Sequence, residues 1–175
     1  MSKLYFHYGT VNSAKTLNLL AIAHNYSSQG KRVFLIKPQM DSRSELVESR
    51  AGLHRKADLV VGAEDNLLDY NYGDNCSAIL VDECQFLTVA HIDQLRHIAT
   101  FRNIPVLCFG LRTKYDTTLW DSSARLFAVA DELREDVTVC TECNHKAVFS
   151  KRVSGGCDDV ELSWDSYVPV CPRHY

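Results

Sequence analysis

The sequence has 175 residues, a length that suits one ordinary domain or one domain with a small appendage. Hydrophobic residues make up 46% and charged residues 23%, so a real core can form and wholesale disorder is excluded. The net charge of −3 implies no broad basic face, which disfavours nucleic acid as the main partner. No stretch approaches the roughly 18 apolar residues of a membrane span, and the first residues lack the apolar run of a signal peptide. We therefore expect a cytoplasmic protein without a membrane partner.

Apolar strand-like runs alternate with helical patterns along most of the chain. The predicted strands are residues 3–8, 32–36, 78–81 and 106–109, and the predicted helices are residues 15–29, 88–99 and 122–133. Residues 41–56, rich in glycine, serine and charge, are predicted to form a mobile loop with some helix. The alternation predicts an α/β domain whose parallel sheet is covered by helices on both faces.

The character of the sequence changes near residue 136, where cysteines, glycines and short β-rich pieces replace the alternation. We therefore divide the chain into an α/β domain at residues 1–136 and a small lobe at residues 137–175.

A glycine-led octet follows the first predicted strand and opens the first predicted helix. It reads Gly9-Thr10-Val11-Asn12-Ser13-Ala14-Lys15-Thr16. This is the context of a Walker A loop, in which backbone N–H groups and the helix N-terminus bind phosphates. Lys15 would contact the β- and γ-phosphates of ATP and Thr16 would bind Mg²⁺, although Ala14 stands where glycine is usual. The alternative is a glycine turn before an ordinary helix.

Two carboxylates, Asp82 and Glu83, end the buried run Ala78-Ile79-Leu80-Val81. Active sites of parallel sheets lie at the carboxyl ends of their strands. Asp82 fits the Walker B role of holding Mg²⁺, which leaves Glu83 to accept a proton from an attacking hydroxyl. The alternative is a strand that ends in a solvated acidic turn.

Cysteines near the C-terminus have metal-ligand spacing. Cys140 and Cys143 form a C-x-x-C pair, and Cys171 and His174 form a C-x-x-H pair. Four soft or borderline ligands without a carboxylate indicate a closed structural Zn²⁺ site. A redox C-x-x-C is the alternative, but it leaves the C-x-x-H pair unexplained. Two histidines outside these pairs, His91 and His145, are interpreted as solvated side chains.

These motifs, in this order, resemble the zinc-containing, tetrameric thymidine kinases over nearly the whole chain. The octet resembles the P-loop of that family, and residues 82–86 (DECQF) resemble its D-E-x-Q-F signature. Residues 110–113 (GLRT) resemble its G-L-R-T segment, and residues 37–43 with 49–52 resemble its flexible loop. Tyr167, four residues before Cys171, matches the tyrosine of the loop that covers the nucleoside.

The resemblance implies a P-loop NTPase core and transfer of the γ-phosphoryl group of ATP to the 5′-hydroxyl of thymidine. It implies that Glu83 is the general base, that Asp41 joins Thr16 and Asp82 at Mg²⁺, and that Asp82 and Gln85 join the octet at ATP. The thymine pocket would be lined by Phe86, Leu111, Tyr115 and Tyr167. The main chain of the covering loop would contact the base at Asp158, Asp159, Val160, Glu161, Leu162 and Ser163. A homotetramer and feedback inhibition by dTTP are implied in the same way.

Rival functions remain at this point. The Walker motifs alone also fit a P-loop kinase of another small molecule. An ATP-driven nucleic-acid-binding protein that grips the polymer with its zinc lobe is a second rival, but residues 137–175 have few basic side chains and no basic stripe.

Overall fold

The structure is a computed structural model that describes residues 1–41, 45–154 and 166–175. Its helices are α1 (Lys15–Ser28), α2 (Val89–Phe101) and α3 (Asp121–Val129). The strands are, in chain order, β1 (Leu4–Gly9), β2 (Arg32–Pro38), β3 (Leu46–Glu48), β4 (His54–Lys56), β5 (Leu59–Val61), β6 (Cys76–Val81), β7 (Val106–Leu111), β8 (Glu132–Asp136), β9 (Phe149–Arg152) and β10 (Tyr167–Val170).

A parallel sheet forms the centre of the described residues, with strand order β5-β2-β6-β7-β1-β8. Its inner strands read as continuous apolar runs because helices cover both faces. Leu19, Leu20 and Ala23 of α1 pack in the core on one face, and α2 and α3 contribute to a separate core that contains Ile92 and Leu126. The predicted α/β architecture is confirmed.

The sequence prediction is wrong at the end of the third helix. α3 ends at Val129, where Ala130 turns to an extended conformation, and residues 132–136 form edge strand β8 beside β1. β8 has no apolar run, and its Leu133 is 48% exposed, so the apolar pattern could not reveal it. Leu4 N–H donates to Asp131 Oδ2 at 2.7 Å, which helps to fix this edge.

Residues 45–56 also differ from the predicted loop with some helix. β3 and β4 pair there as an antiparallel hairpin that buries Val47 against the α1 face of the sheet. In the described ranges, the chain has no helix long and apolar enough to cross a bilayer.

A small antiparallel pair, β9 and β10, follows the main sheet along the chain. Val11 N–H donates to Ser150 Oγ at 3.1 Å, and the Arg112 guanidinium donates to Val148 O at 2.8 Å. Hydrogen bonds thus join the loops that follow β1 and β7 to residues 148–150, across the proposed boundary at residue 136.

Candidate active site and metal cluster

The glycine-led octet forms the turn between β1 and α1, at the carboxyl edge of the sheet. A side chain at Gly9 would lie 2.5 Å from Asp136 O and 2.4 Å from Ser13 Oγ, so the tight turn requires glycine there. Lys15 is only 8% exposed and donates to Thr10 O at 2.5 Å and to Ser13 Oγ at 3.0 Å. Its ammonium therefore lies inside the loop, where a phosphate would replace these partners.

Burial lowers the pKa of Lys15, and the nearby carboxylates of Glu83, Asp136 and Asp82 act in the opposite direction. These carboxylates help to keep the buried ammonium charged. Bound phosphate would add to this effect, because it brings further negative charge to the lysine.

Thr16 and Asp82 meet across the site, as a magnesium site requires. Thr16 Oγ1 donates to Asp82 Oδ1 at 3.1 Å, although the residues are 66 positions apart. A hydroxyl and a carboxylate are hard oxygen donors of the kind that Mg²⁺ prefers, so these residues fit the ion. Asp41 lies at the end of a short 3₁₀ turn after β2.

Ala14 caps α1 with a left-handed backbone, at φ 59° and ψ 21°. This region costs a residue with a Cβ atom about 1–2 kcal/mol, and glycine adopts it freely. The usual glycine of the Walker loop is thus explained by backbone geometry, and the alanine introduces strain at the start of the helix.

We expect Ala14→Gly to bind ATP at least as tightly as the wild type. Its free energy of unfolding should be equal to or higher than that of the wild type, because glycine removes strain of about 1 kcal/mol. Isothermal titration and urea unfolding measure the two quantities. The matched control is Ala21→Gly on the exposed face of α1, where glycine costs about 0.5–1 kcal/mol. A clear loss of ATP affinity in Ala14→Gly would contradict the interpretation of an ordinary P-loop.

Glu83 follows Asp82 in a left-handed conformation, with φ 46° and ψ 41°. Its carboxylate accepts a hydrogen bond from Gln85 Nε2 at 2.5 Å. Gln85, predicted near ATP, is buried and also accepts from Leu111 N–H at 3.0 Å. The sequence did not predict that the amide of Gln85 joins these two residues.

Three residues predicted to line the thymine pocket, Phe86, Tyr115 and Tyr167, contact further aromatic or cationic side chains. Phe86 stacks edge-on against Trp120, with ring centroids 5.4 Å apart. The Arg152 guanidinium lies 5.0 Å from the Tyr115 ring and 5.9 Å from the Tyr167 ring, so one cation bridges both tyrosines. Arg152 was not among the predicted site residues. The predicted base contacts at 158–163 lie outside the described residues.

His91 is not solvated, contrary to the sequence interpretation. It is buried, and its Nε2 lies 2.8 Å from Asp65 O. It also forms a capping box at the start of α2, because Thr88 Oγ1 accepts from His91 N–H while His91 Nδ1 accepts from Thr88 N–H. The second histidine, His145, lies beside the cysteines, with Nδ1 3.4 Å from Cys143 Sγ.

The predicted metal ligands come together in the C-terminal part of the chain. Cys140, Cys143, Cys171 and His174 place one ligand atom each within 4.8 Å of one another. Cys143 Sγ lies 3.7 Å from Cys171 Sγ, close to the separation of about 3.8 Å that two sulfurs take on one tetrahedral zinc.

The chemistry of these side chains also favours a metal. Burial alone would raise the pKa of the Cys140 thiol, but hydrogen bonds from the backbone N–H groups of Cys171 and Glu142 and from His174 lower it to about 6. A thiolate is the form that binds zinc. The cluster therefore has the ligand types, the spacing and the compactness of a structural zinc site.

Comparison with known proteins gives one consistent result. A family model described as thymidine kinase matches residues 2–175. A thymidine kinase of Streptococcus agalactiae serotype Ia is 35% identical over 187 residues, an alignment that covers 100% of this chain and 97% of the relative. A thymidine kinase of Lactobacillus acidophilus is 37% identical over 193 residues, with 100% and 96% covered. A thymidine kinase of Streptococcus thermophilus is 35% identical over 185 residues, with 100% and 94% covered.

Proposed function

This chain belongs to the thymidine kinase family and phosphorylates thymidine with ATP, and we propose that Glu83 is the general base of the transfer. The observation that supports this assignment is the position of Glu83 at the carboxyl end of β6, directly after the aspartate that contacts Thr16. A carboxylate there can reach a hydroxyl presented at the same edge of the sheet as the phosphate loop.

The reaction forms a bond between the 5′-oxygen of thymidine and the γ-phosphorus of ATP, and it breaks the bond from that phosphorus to the β-γ bridging oxygen. ADP leaves with the bond electrons, and the 5′-hydroxyl proton passes to a Glu83 carboxylate oxygen. Lys15 and the N–H groups of the octet hold the charge of the moving phosphoryl group and of ADP. Gly9, Thr10, Val11, Asn12, Ser13, Ala14, Lys15 and Thr16 would therefore contact ATP.

Thr16 and Asp82 would hold Mg²⁺, with Asp41 as a third candidate ligand. When bound, the ion neutralises charge on the phosphates. Zinc would be held by Cys140, Cys143, Cys171 and His174, and its contribution would be to folding rather than to chemistry, because four protein ligands would leave no position for a substrate.

Phe86, Leu111, Tyr115 and Tyr167 would surround the thymine. Aromatic side chains suit this task because they bury the flat base at small conformational cost. We also propose that dTTP inhibits the enzyme, since one molecule of dTTP combines a thymidine for this pocket with a triphosphate for the P-loop. The homotetramer is proposed from the resemblance to the tetrameric family.

The direct test incubates the protein with Mg²⁺, γ-labelled ATP and separate nucleosides: thymidine, deoxycytidine, deoxyadenosine and deoxyguanosine. We expect the label to appear in dTMP, and we expect its transfer to the purine nucleosides to be much slower. Thymidine that lacks its 5′-hydroxyl is the matched control and should accept no label. Transfer of label to another class of acceptor, with none to thymidine, would favour the rival small-molecule kinase.

A further inference from the structure

The amide of Gln85 joins two parts of the active site. Its Nε2 donates to Glu83 Oε2 at 2.5 Å, and its Oε1 accepts from Leu111 N–H at 3.0 Å. Gln85 is 3% exposed, so bulk water does not compete for these bonds. One side chain therefore connects the carboxylate of Glu83 to the end of β7.

Two buried serines bind the backbone carbonyl groups of Gln85 and Leu111. Ser122 Oγ donates to Gln85 O at 2.8 Å, and Ser123 Oγ donates to Leu111 O at 2.6 Å. Both serines lie in the first turn of α3, and both are fully enclosed. The start of α3 thus fixes the backbone from which the Gln85 amide projects and the backbone to which that amide binds.

Gly110 leaves room for the amide. A Cβ atom at residue 110 would lie 2.6 Å from Gln85 Oε1 and 2.6 Å from Cys84 Sγ. Real Cβ atoms do not approach that closely, so any larger residue at 110 would displace the side chains that now lie there. The space that a side chain at residue 110 would occupy is filled in part by the Gln85 amide, which binds Glu83 and Leu111.

The backbone of Glu83 needs such support. Its left-handed conformation is unusual and strained for a glutamate, so the surrounding contacts must stabilise it. Phe86 N–H donates to Glu83 O at 3.0 Å and closes the turn on one side. The Gln85 amide restrains the side chain of the same residue.

We propose that Gln85 is a positioning residue that orients the Glu83 carboxylate toward the nucleoside hydroxyl and sets its distance from the thymine pocket at Leu111. This inference rests on the proposed function, because it takes Glu83 as the base. The amide occupies Oε2 and so holds the carboxylate in one orientation. Other charged or ionisable groups around Glu83 are Lys15, Asp82 and Cys84.

The test begins with Gln85→Glu. A carboxylate at residue 85 can still accept from Leu111 N–H, but it cannot donate to Glu83. We expect kcat to fall about 10- to 100-fold, since a misplacement of about 1 Å in an active site costs on that order. The KM value for thymidine should stay close to that of the wild type. Gln29→Glu, the same change at an exposed position after α1, should leave kcat unaltered.

A double-mutant cycle shows whether Gln85 acts through Glu83. If it does, Glu83→Gln/Gln85→Glu has the same kcat as Glu83→Gln alone, because the base is already lost. Losses that add in the double variant would overturn the inference. So would wild-type kcat in Gln85→Glu, or a rise in KM with kcat unchanged. The single variants separate the two hypotheses: normal turnover in Glu83→Gln refutes the base itself, whereas normal turnover in Gln85→Glu alone refutes only the positioning.

Gly110→Ala provides a second route if Gln85→Glu does not fold. It displaces the amide, together with the Cys84 thiol, without adding charge, and φ at Gly110 lies outside the left-handed region, so the backbone conformation itself suits alanine. We expect the same pattern: a lower kcat, a nearly constant KM value for thymidine, and no further loss when Glu83→Gln is added. Wild-type turnover in Gly110→Ala would overturn the proposal.

Discussion

Glu83→Gln should bind ATP as the wild type does and lose most of its turnover. The amide has nearly the shape of the carboxylate, so the turn after β6 can keep its form. The amide, however, cannot accept the hydroxyl proton. Removal of a general base typically lowers the rate about 10²–10⁴-fold. The measurements are kcat for thymidine phosphorylation and the ATP dissociation constant by titration.

Glu64→Gln is a suitable control, because Glu64 is exposed and lies outside the candidate site. It should leave both quantities unchanged. Near-normal thymidine phosphorylation by Glu83→Gln would exclude the base role, whereas loss of ATP binding would indicate that Glu83 mainly organises the nucleotide site.

Cys140→Ser should remove zinc and disturb thymidine binding more than ATP binding. The 27 residues between Cys143 and Cys171 include Tyr167 and the predicted base-covering loop, and zinc would tie both ends of this segment. Structural zinc sites contribute roughly 10–16 kcal/mol of apparent folding free energy in small peptides. The P-loop has its own apolar sheet behind it, so ATP affinity should survive better.

Both ligands should be titrated into the wild type, into Cys140→Ser, and into Cys76→Ser. Cys76 is a half-buried cysteine in β6 that is remote from the cluster in sequence, and its replacement tests the loss of a thiol without the loss of a ligand. Zinc content by atomic spectroscopy completes the comparison. An equal loss of both affinities in Cys140→Ser would mean that the metal supports the whole fold, and no loss of either would refute the four-ligand site.

The inner strands and the P-loop were predictable because their signals are local. Buried parallel strands read as short apolar runs, and the Walker loop and the metal pairs have fixed spacings. The meeting of Thr16 with Asp82 followed from the general rule that active sites lie at the carboxyl ends of parallel strands.

Other features depend on contacts between distant positions, which no local pattern encodes. β8 is a polar edge strand, and the α3 pattern runs into it without a break. The hydrogen bond from Ser122 to Gln85 spans 37 positions in sequence. A serine in the first turn of a helix normally indicates a cap or an exposed position, so the sequence gives no sign that it supports an active-site turn. The bridge of Arg152 between two tyrosines likewise depends on the pairing of β9 with β10.

The hydrogen bond from Val11 N–H to Ser150 Oγ has a thermodynamic consequence. Val11 lies in the phosphate loop, and Ser150 lies on β9, two residues before the arginine that bridges Tyr115 and Tyr167. This bond gives a direct contact through which a nucleotide that moves the loop would act on the strand that carries the tyrosine-bridging arginine. Coupling of this kind is reciprocal. Whatever factor ATP applies to the dissociation constant of thymidine, thymidine must apply the same factor to that of ATP.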